Sequence, residues 1–131
     1  MYHHHSVGAT SEFSAAAWFS SRGFELFWPV GSTAGSVDFI ASKGGHRYRV
    51  QVKTGTEWER GNKKYLRVSN GASGHRKQYR KDDLDVLFVV SPRGWMLWIP
   101  FVDIPKRAAF HIRLNDIYKP EQRKWDKWIV T

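Results

Sequence analysis

Two strand-like segments joined by a short glycine turn constrain this fold more than any other feature. Residues 37–42 and 47–54 are rich in β-branched and aromatic side chains, and a Lys-Gly-Gly-His sequence at 43–46 separates them. Neighbouring glycines in so short a connection favour a hairpin turn. The chain is therefore expected to contain an antiparallel strand pair within a larger sheet.

The other elements are predicted from hydrophobic spacing and from turn residues. A small-residue loop covers residues 31–36, a polar and basic connection lies between 54 and 64, and a strongly basic polar stretch covers 70–83. The pattern predicts a helix over 6–22, strands over 25–29, 64–68, 86–91, 95–100 and 110–114, and a short helix over 121–128. This order indicates an α/β (α+β) fold, with one domain over residues 1–131 and a central mixed β-sheet flanked by helices.

Aromatic and small side chains give more specific expectations about burial. The first helix is expected to turn one apolar face inward, formed by Ala9, Phe13, Ala16, Ala17 and Ser20. Four tryptophans alternate with apolar neighbours and are expected in the core: Trp18, Trp28, Trp95 and Trp98. Trp58 lies in a polar stretch instead, where it could touch a ligand.

The charge of the chain indicates a polyanionic partner. Lys and Arg number 21 against 12 Asp and Glu, which gives a formal net charge of +9 and a pI near 10.0. Such a balance favours nucleic acid over an anionic membrane, because no long basic amphipathic helix and no long apolar run accompany it. The absence of cysteine excludes disulfides and thiolate metal sites and fits a cytoplasmic protein. The run from His3 to His5 carries no functional inference.

The hairpin carries three candidate catalytic residues: Asp38 on the first strand, and Gln51 and Lys53 on the second. Strand side chains alternate, so Gln51 and Lys53 project together, and a twisted hairpin can bring the Asp38 carboxylate beside them. Mg²⁺ binds carboxylate, amide and backbone carbonyl oxygens, the last offered here by Val52. Such a metal activates water and polarises a phosphate, while a lysine orients that water. The set predicts Mg²⁺-dependent phosphodiester cleavage, with Mn²⁺ as a substitute.

Two carboxylates outside the hairpin are further candidates. Glu12 lies at the edge of the expected apolar helix face and could add an acidic ligand, or it could be a solvated acid favoured by the helix dipole. Glu25 is the second choice and is expected to be solvated. The Asp-then-Gln-x-Lys pattern alone is also compatible with a solvated strand face.

Asp38, twelve intervening residues and then Gln51-Val52-Lys53 resembles the PD-(D/E)xK nuclease signature. The wider pattern is similar to the group I intron homing endonucleases of that class, with archaeal-type resolvases further off. It comprises Glu12, GFELFWPV at 23–30, VDFI at 37–40 and YRVQVKT at 48–54. Val37 replaces the signature proline and Gln51 replaces the acid, and the homing branch is similar in carrying glutamine there.

The resemblance covers residues 7–56 well and the remainder loosely. It implies a restriction-endonuclease-like core and Mg²⁺-dependent, site-specific cleavage of double-stranded DNA. The implied roles are acidic metal-site residues for Glu12 and Asp38, a ligand for Gln51 and the catalytic lysine for Lys53. It also implies a homo-oligomer, dimer or tetramer, that addresses a two-fold-symmetric target.

A dense basic group is expected to bind the DNA backbone, although each member alone could be a solvated loop residue. Its arginines could also reach guanine edges. The group comprises Arg60, Lys63, Lys64, Arg67, His75, Arg76, Lys77, Arg80 and Lys81. The acidic run that follows, Asp82, Asp83 and Asp85, is expected to cap the entry of the next strand.

Two other functions remain open from the sequence. A Holliday-junction resolvase or a restriction or repair nuclease of the same fold would differ in the shape of its substrate. A catalytically inert DNA- or RNA-binding protein that has lost its metal is favoured by Gln51, whereas the retention of Asp38, Lys53 and Glu12 counts against it.

Overall fold

The computed structural model of the chain describes residues 3–30, 37–69, 79–114 and 126–130. Short 3-10 turns occur at Phe101–Asp103 and Asp126–Trp128. One helix and eight strands follow one another in these segments: α1 (His3–Ser21), β1 (Glu25–Phe27), β2 (Phe39–Lys43), β3 (His46–Thr54), β4 (Thr56–Arg60), β5 (Lys63–Ser69), β6 (Val86–Val90), β7 (Met96–Pro100) and β8 (Ala109–Arg113).

A mixed five-stranded sheet forms the centre, in the order β1-β2-β3-β6-β7. Strands β3 and β6 run parallel, with Val50 opposite Val86, and the other neighbours are antiparallel. The predicted central mixed sheet is confirmed. The hairpin is confirmed too, because β2 and β3 meet at Gly44 and Gly45, whose φ angles of 58° and 82° suit the left-handed positions of such a turn.

A second, three-stranded antiparallel sheet has the order β4-β5-β8. The expected polar connection between residues 54 and 64 is wrong, because β4 and β5 form a hairpin there. Strand β4 escapes sequence recognition because its sequence, Thr-Glu-Trp-Glu-Arg, contains one apolar residue and so lacks the alternation that marks a half-buried strand.

The central sheet is covered on both faces, which explains why all five residues of β6 are buried. Helix α1 packs on one face, where Phe19 contacts Phe39 and Phe88. The second sheet packs on the other face, where Leu66 and Val68 join the core cluster of Leu87 and its neighbours. In the described part of the chain this second cover is a sheet, and α1 is the helix that flanks the central sheet.

The buried side of α1 differs from the predicted one. Ser11, Ala15 and Phe19 are buried, whereas Phe13 is 75% exposed and Ala17 is exposed. Alanine and serine occur on every side of this helix, so the sequence has little hydrophobic periodicity from which its inward face could be predicted. The prediction of the inward face is therefore wrong for Ala9, Phe13, Ala17 and Ser20, whereas Ala16 packs against the core.

The tryptophan expectations hold in part. Trp18 and Trp98 pack against the helix-side core, and Trp95 packs against the other cluster. Trp28 is 51% exposed, so its assignment to the core is wrong. Trp128 is buried in the 3-10 turn, and the predicted helix over 121–128 otherwise lies outside the described residues.

An ion pair fixes the start of β6 beside β3. Arg49 donates to Asp85 from its backbone N–H, at 2.8 Å, and from its guanidinium, at 3.0 Å. The guanidinium also donates to the backbone carbonyl of Asp82, and Asp83 accepts from the N–H of Arg80. The predicted strand-entry role is confirmed for the carboxylates of Asp83 and Asp85, whereas Asp82 contributes only its backbone carbonyl. No helix in the described segments is long and apolar enough to span a membrane.

Candidate active site

Asp38 lies immediately before β2, where β3 extends beyond the first residue of β2. The last residue pair between β2 and β3 joins Phe39 to Val50, and the backbone N–H of Asp38 donates to the carbonyl of Val50 at 2.8 Å. Two residues further along β3, the backbone N–H of Val52 donates to Asp38 Oδ2 at 2.7 Å. The carboxylate thus replaces a missing strand partner, which fixes its position against β3.

The Gln51 amide joins two oxygens of this site. Gln51 Nε2 lies 3.0 Å from Asp38 Oδ2 and 3.4 Å from the carbonyl oxygen of Val52. Both oxygens therefore face one point that a hydrogen-bond donor fills. A cation at the same point would be bound by both oxygens and, after a turn of the amide, by Gln51 Oε1.

The electrostatic environment of Asp38 favours a bound cation. Burial raises the pKa of the Asp38 carboxyl above its usual value, and the negative charge of Glu12 raises that pKa further. The Val52 N–H and the Lys53 ammonium act in the opposite direction. Glu12 and Lys53 thus lie within electrostatic reach of Asp38, as the sequence predicts, and the half-buried carboxylate carries charge that a cation would relieve.

A hydrogen bond between α1 and β3 holds Glu12 in this neighbourhood. Thr54 Oγ1 lies 2.6 Å from Ser11 Oγ, and Ser11 is buried beside Glu12 in the sequence. This contact anchors the first half of α1 to the end of β3. The sequence gives no sign of it, because a serine in a helix and a threonine at a strand end are each commonplace.

A cleft of about 950 Å³ adjoins the end of β3. Its walls come from α1, from the corner between β3 and β4, and from the turn between β6 and β7. Small polar side chains dominate its lining, including Ser11, Ser14 and Thr54, and Arg93 forms a 3.0 Å ion pair with Glu57 there. Asp38, Gln51 and Lys53 are not among the residues that line it, so the cleft lies next to the candidate site along β3 and does not contain it.

The donor set fits a hard divalent cation with few protein ligands. Within the described segments, no three His, Cys, Asp or Glu side chains lie close enough together to hold a metal ion. A cation here would therefore depend on Asp38, the Val52 carbonyl and Gln51, with Glu12 as the second acid. All are oxygen donors, which suits Mg²⁺ or Mn²⁺, and water would complete the coordination.

The predicted basic group separates into two places. Arg60, Lys63, Lys64 and Arg67 lie exposed on the β4–β5 hairpin, where Lys64 is 3.7 Å from Glu59. Arg80 and Lys81 are exposed just before β6. His75, Arg76 and Lys77 lie outside the described residues.

Comparison with known proteins identifies the class. The profile of the PD-(D/E)XK endonuclease family matches residues 2–128, so the chain belongs to that family. The fold and the position of Asp38 before Gln51 and Lys53 agree with this membership.

Two individual proteins are similar to the chain. Protein 5.3 of Escherichia phage T7 is 33% identical over 90 residues, which are 69% of this chain and 75% of that protein. The structure of the bacterial homing endonuclease I-Ssp6803I superposes with a TM-score of 0.76 at 18% identity, over 94% of this chain and 86% of the other. The predicted restriction-endonuclease-like core is thereby confirmed.

Proposed function

We propose that this endonuclease is a metal-dependent, site-specific enzyme of the homing type that hydrolyses double-stranded DNA. The observation that carries the proposal is the placement of Asp38: a half-buried carboxylate held by the Val52 N–H, shared with the Gln51 amide, and close to both an acid and a lysine. Hydrolysis of a phosphodiester needs this combination of cation ligands and a mobile positive charge.

In this mechanism Asp38, Gln51 and the Val52 carbonyl would hold the cation, and Glu12 would add a second acid to the site. When bound, Mg²⁺ would supply a Lewis acid and lower the pKa of a coordinated water. Lys53 projects from the same side of β3 as Gln51, where its ammonium can orient the attacking water and offset charge on the phosphorane. Ser11 and Thr54 keep α1, and with it Glu12, against the strand that carries these groups.

The homing assignment rests on the similarity in fold to a homing endonuclease and on the glutamine at position 51. A site-specific enzyme of this size would need a second copy to span a two-fold-symmetric target. Exposed apolar side chains suit such contacts: Phe27 and Trp28 are each 51% exposed, and Val30 is 97% exposed. We propose a homo-oligomer that acts in the cytoplasm.

The decisive test is cleavage of a plasmid library with randomised inserts, in Mg²⁺ and in EDTA. The wild type is compared with Lys53→Ala, and Arg47→Ala serves as a charge-matched control because Arg47 is exposed at the opposite end of β3. We expect cutting at a recurring site in Mg²⁺, lost in EDTA and in Lys53→Ala, and retained in Arg47→Ala.

Other outcomes select other functions. Preference for a four-way junction over linear duplex would identify a resolvase, and cutting without a recurring site would exclude homing. No cutting, combined with salt-sensitive DNA binding in all three proteins, would leave an inert binding protein.

A further inference from the structure

The three-stranded sheet has an outer face that differs from its inner face in composition. Alternation along β5 turns Leu66 and Val68 toward the core. The register therefore turns their neighbours Tyr65 and Arg67 outward. Across the sheet, the outward positions are Thr56, Trp58, Arg60, Lys63, Tyr65, Arg67, Ser69, Ala109, His111 and Arg113. We call these ten positions the outer face.

Charge on the outer face has one sign. Arg60, Lys63, Arg67 and Arg113 are all cationic, and none of its ten positions carries an acid. The two acids of β4, Glu57 and Glu59, have the opposite parity and belong with the inner positions. Since an ordinary solvated sheet mixes both signs, this separation favours a polyanion.

Three rings occupy the middle of the outer face. Trp58 and Tyr65 stack with ring centroids 5.3 Å apart, and His111 lies edge-on to both, at 5.4 Å from Trp58 and 6.1 Å from Tyr65. Each ring therefore packs against the other two. This arrangement orders the surface in advance and lowers the entropy lost when a ligand binds.

We propose that the outer face lies against duplex DNA, with its arginines reaching into the major groove. The inference rests on the proposed function and names the surface that grips the substrate. Adjacent strands are about 5 Å apart, so the three-stranded sheet is too wide to enter a groove about 12 Å wide, whereas the side chains of its outer face can reach into that groove. Arg60 and Arg67 then supply paired donors for guanine edges or phosphates.

The ring cluster favours duplex over single-stranded DNA. A platform for unpaired bases needs open ring faces, since stacking is its main source of affinity. Here one face of the Trp58 ring stacks on one face of the Tyr65 ring, and His111 packs edge-on against both. The cluster is suited to apolar contact with sugars and thymine methyl groups and to support of the arginines around it.

The outer face is rigidly connected to the candidate active site. Strand β3, which carries Gln51 and Lys53, continues into β4 through Gly55 alone, and the Gly55 N–H donates to the carbonyl of Val90 at 2.9 Å. A duplex held on β4 and β5 is therefore fixed relative to the catalytic strand. Lys64 is not part of the outer face, because it lies on the opposite face of β5, where it is exposed and pairs with Glu59.

The test is fluorescence anisotropy of the full chain in EDTA, with a random-sequence 30-bp duplex and a 30-nucleotide single strand as probes at several salt concentrations. Arg67→Ala should weaken duplex binding at least about fivefold and reduce the salt slope by about 0.9. Trp58→Ala should weaken duplex binding more than single-strand binding, and Arg47→Ala should change neither. Thermal melts check that each variant is folded.

Two results would overturn the inference. Equal losses in Arg67→Ala and Arg47→Ala would indicate diffuse attraction, and losses confined to the single strand would indicate a stacking platform. Cleavage in Mg²⁺ is measured separately. A wild type that cuts while Arg67→Ala binds duplex normally defeats this inference alone, whereas a wild type that never cuts defeats the enzyme proposal alone.

Discussion

Gly55 joins the two sheets at a point with no room for a side chain. A Cβ atom there would lie 2.5 Å from Leu66 Cδ1, 2.6 Å from Cγ and 2.8 Å from Cδ2. Carbon atoms prefer separations of about 3.5–4.0 Å, so Leu66 would have to move by about 1 Å. Leu66 is completely buried and cannot move without displacing its neighbours. Gly55→Ala is therefore expected to destabilise the protein.

The magnitude follows from two opposing terms. Overpacking of a core costs about 1–3 kcal/mol, and the loss of glycine flexibility in the unfolded chain offsets about 0.4–1 kcal/mol. The expected net loss is about 1–2 kcal/mol in the free energy of unfolding. For a chain of 131 residues this lowers the melting temperature by about 4–7 °C.

The assay is urea denaturation followed by tryptophan fluorescence, carried out as a double-mutant cycle with Leu66→Ala. Alanine at position 66 lacks all three of the atoms that a new Cβ would meet. Gly55→Ala should therefore lose its steric cost in the Leu66→Ala background and stabilise that variant by about 0.4–1 kcal/mol. The coupling then equals the overpacking cost of about 1–3 kcal/mol. An equal cost in both backgrounds would refute the steric argument.

Three further predictions concern charge and metal. Asp38→Asn should raise the stability of the metal-free protein at neutral pH. The pKa of Asp38 is raised in the folded state, so folding favours the protonated carboxyl, and the stability that this provides is lost as the pH rises through the folded pKa. Urea denaturation at several pH values between 4 and 7 measures this loss. Asp85→Asn should cost about 0.5–1 kcal/mol, a modest figure because the ion pair with Arg49 is about one-third exposed. The pKa of Asp85 is lowered, so wild-type stability should be lost as the pH falls through the folded value, and acid unfolding of the variant should lack that step. Mg²⁺ at 10 mM should raise the wild-type melting temperature and leave that of Asp38→Asn unchanged, as a thermal-shift measurement would show.

The hairpin could be predicted from the sequence because its signals are local. Gly44 and Gly45 specify the turn, and the alternation from Val50 to Lys53 specifies which side chains share a face. These two facts bring Asp38 opposite Gln51. The candidate site is therefore largely a consequence of one stretch of sequence.

The rest depends on tertiary packing. The inward side of α1 is set by Phe19 meeting Phe39 and Phe88, and no pattern within the helix announces it. Strand β4 is held by its pairing with β5, which overrides its polar composition. The basic residues illustrate the same limit, since Lys63 and Lys64 are adjacent in sequence yet belong to opposite faces of the sheet.

Single-turnover cleavage of the recovered target over a range of Mg²⁺ concentrations tests most directly whether Asp38 belongs to a metal-dependent active site. Asp38→Asn is compared with the wild type and with Glu25→Gln, a control acid exposed on β1. We predict saturable Mg²⁺ dependence in the wild type and in Glu25→Gln, and a rate at least about 10³-fold lower in Asp38→Asn with target affinity retained. Cleavage by Asp38→Asn at the wild-type rate would contradict the assignment of this site.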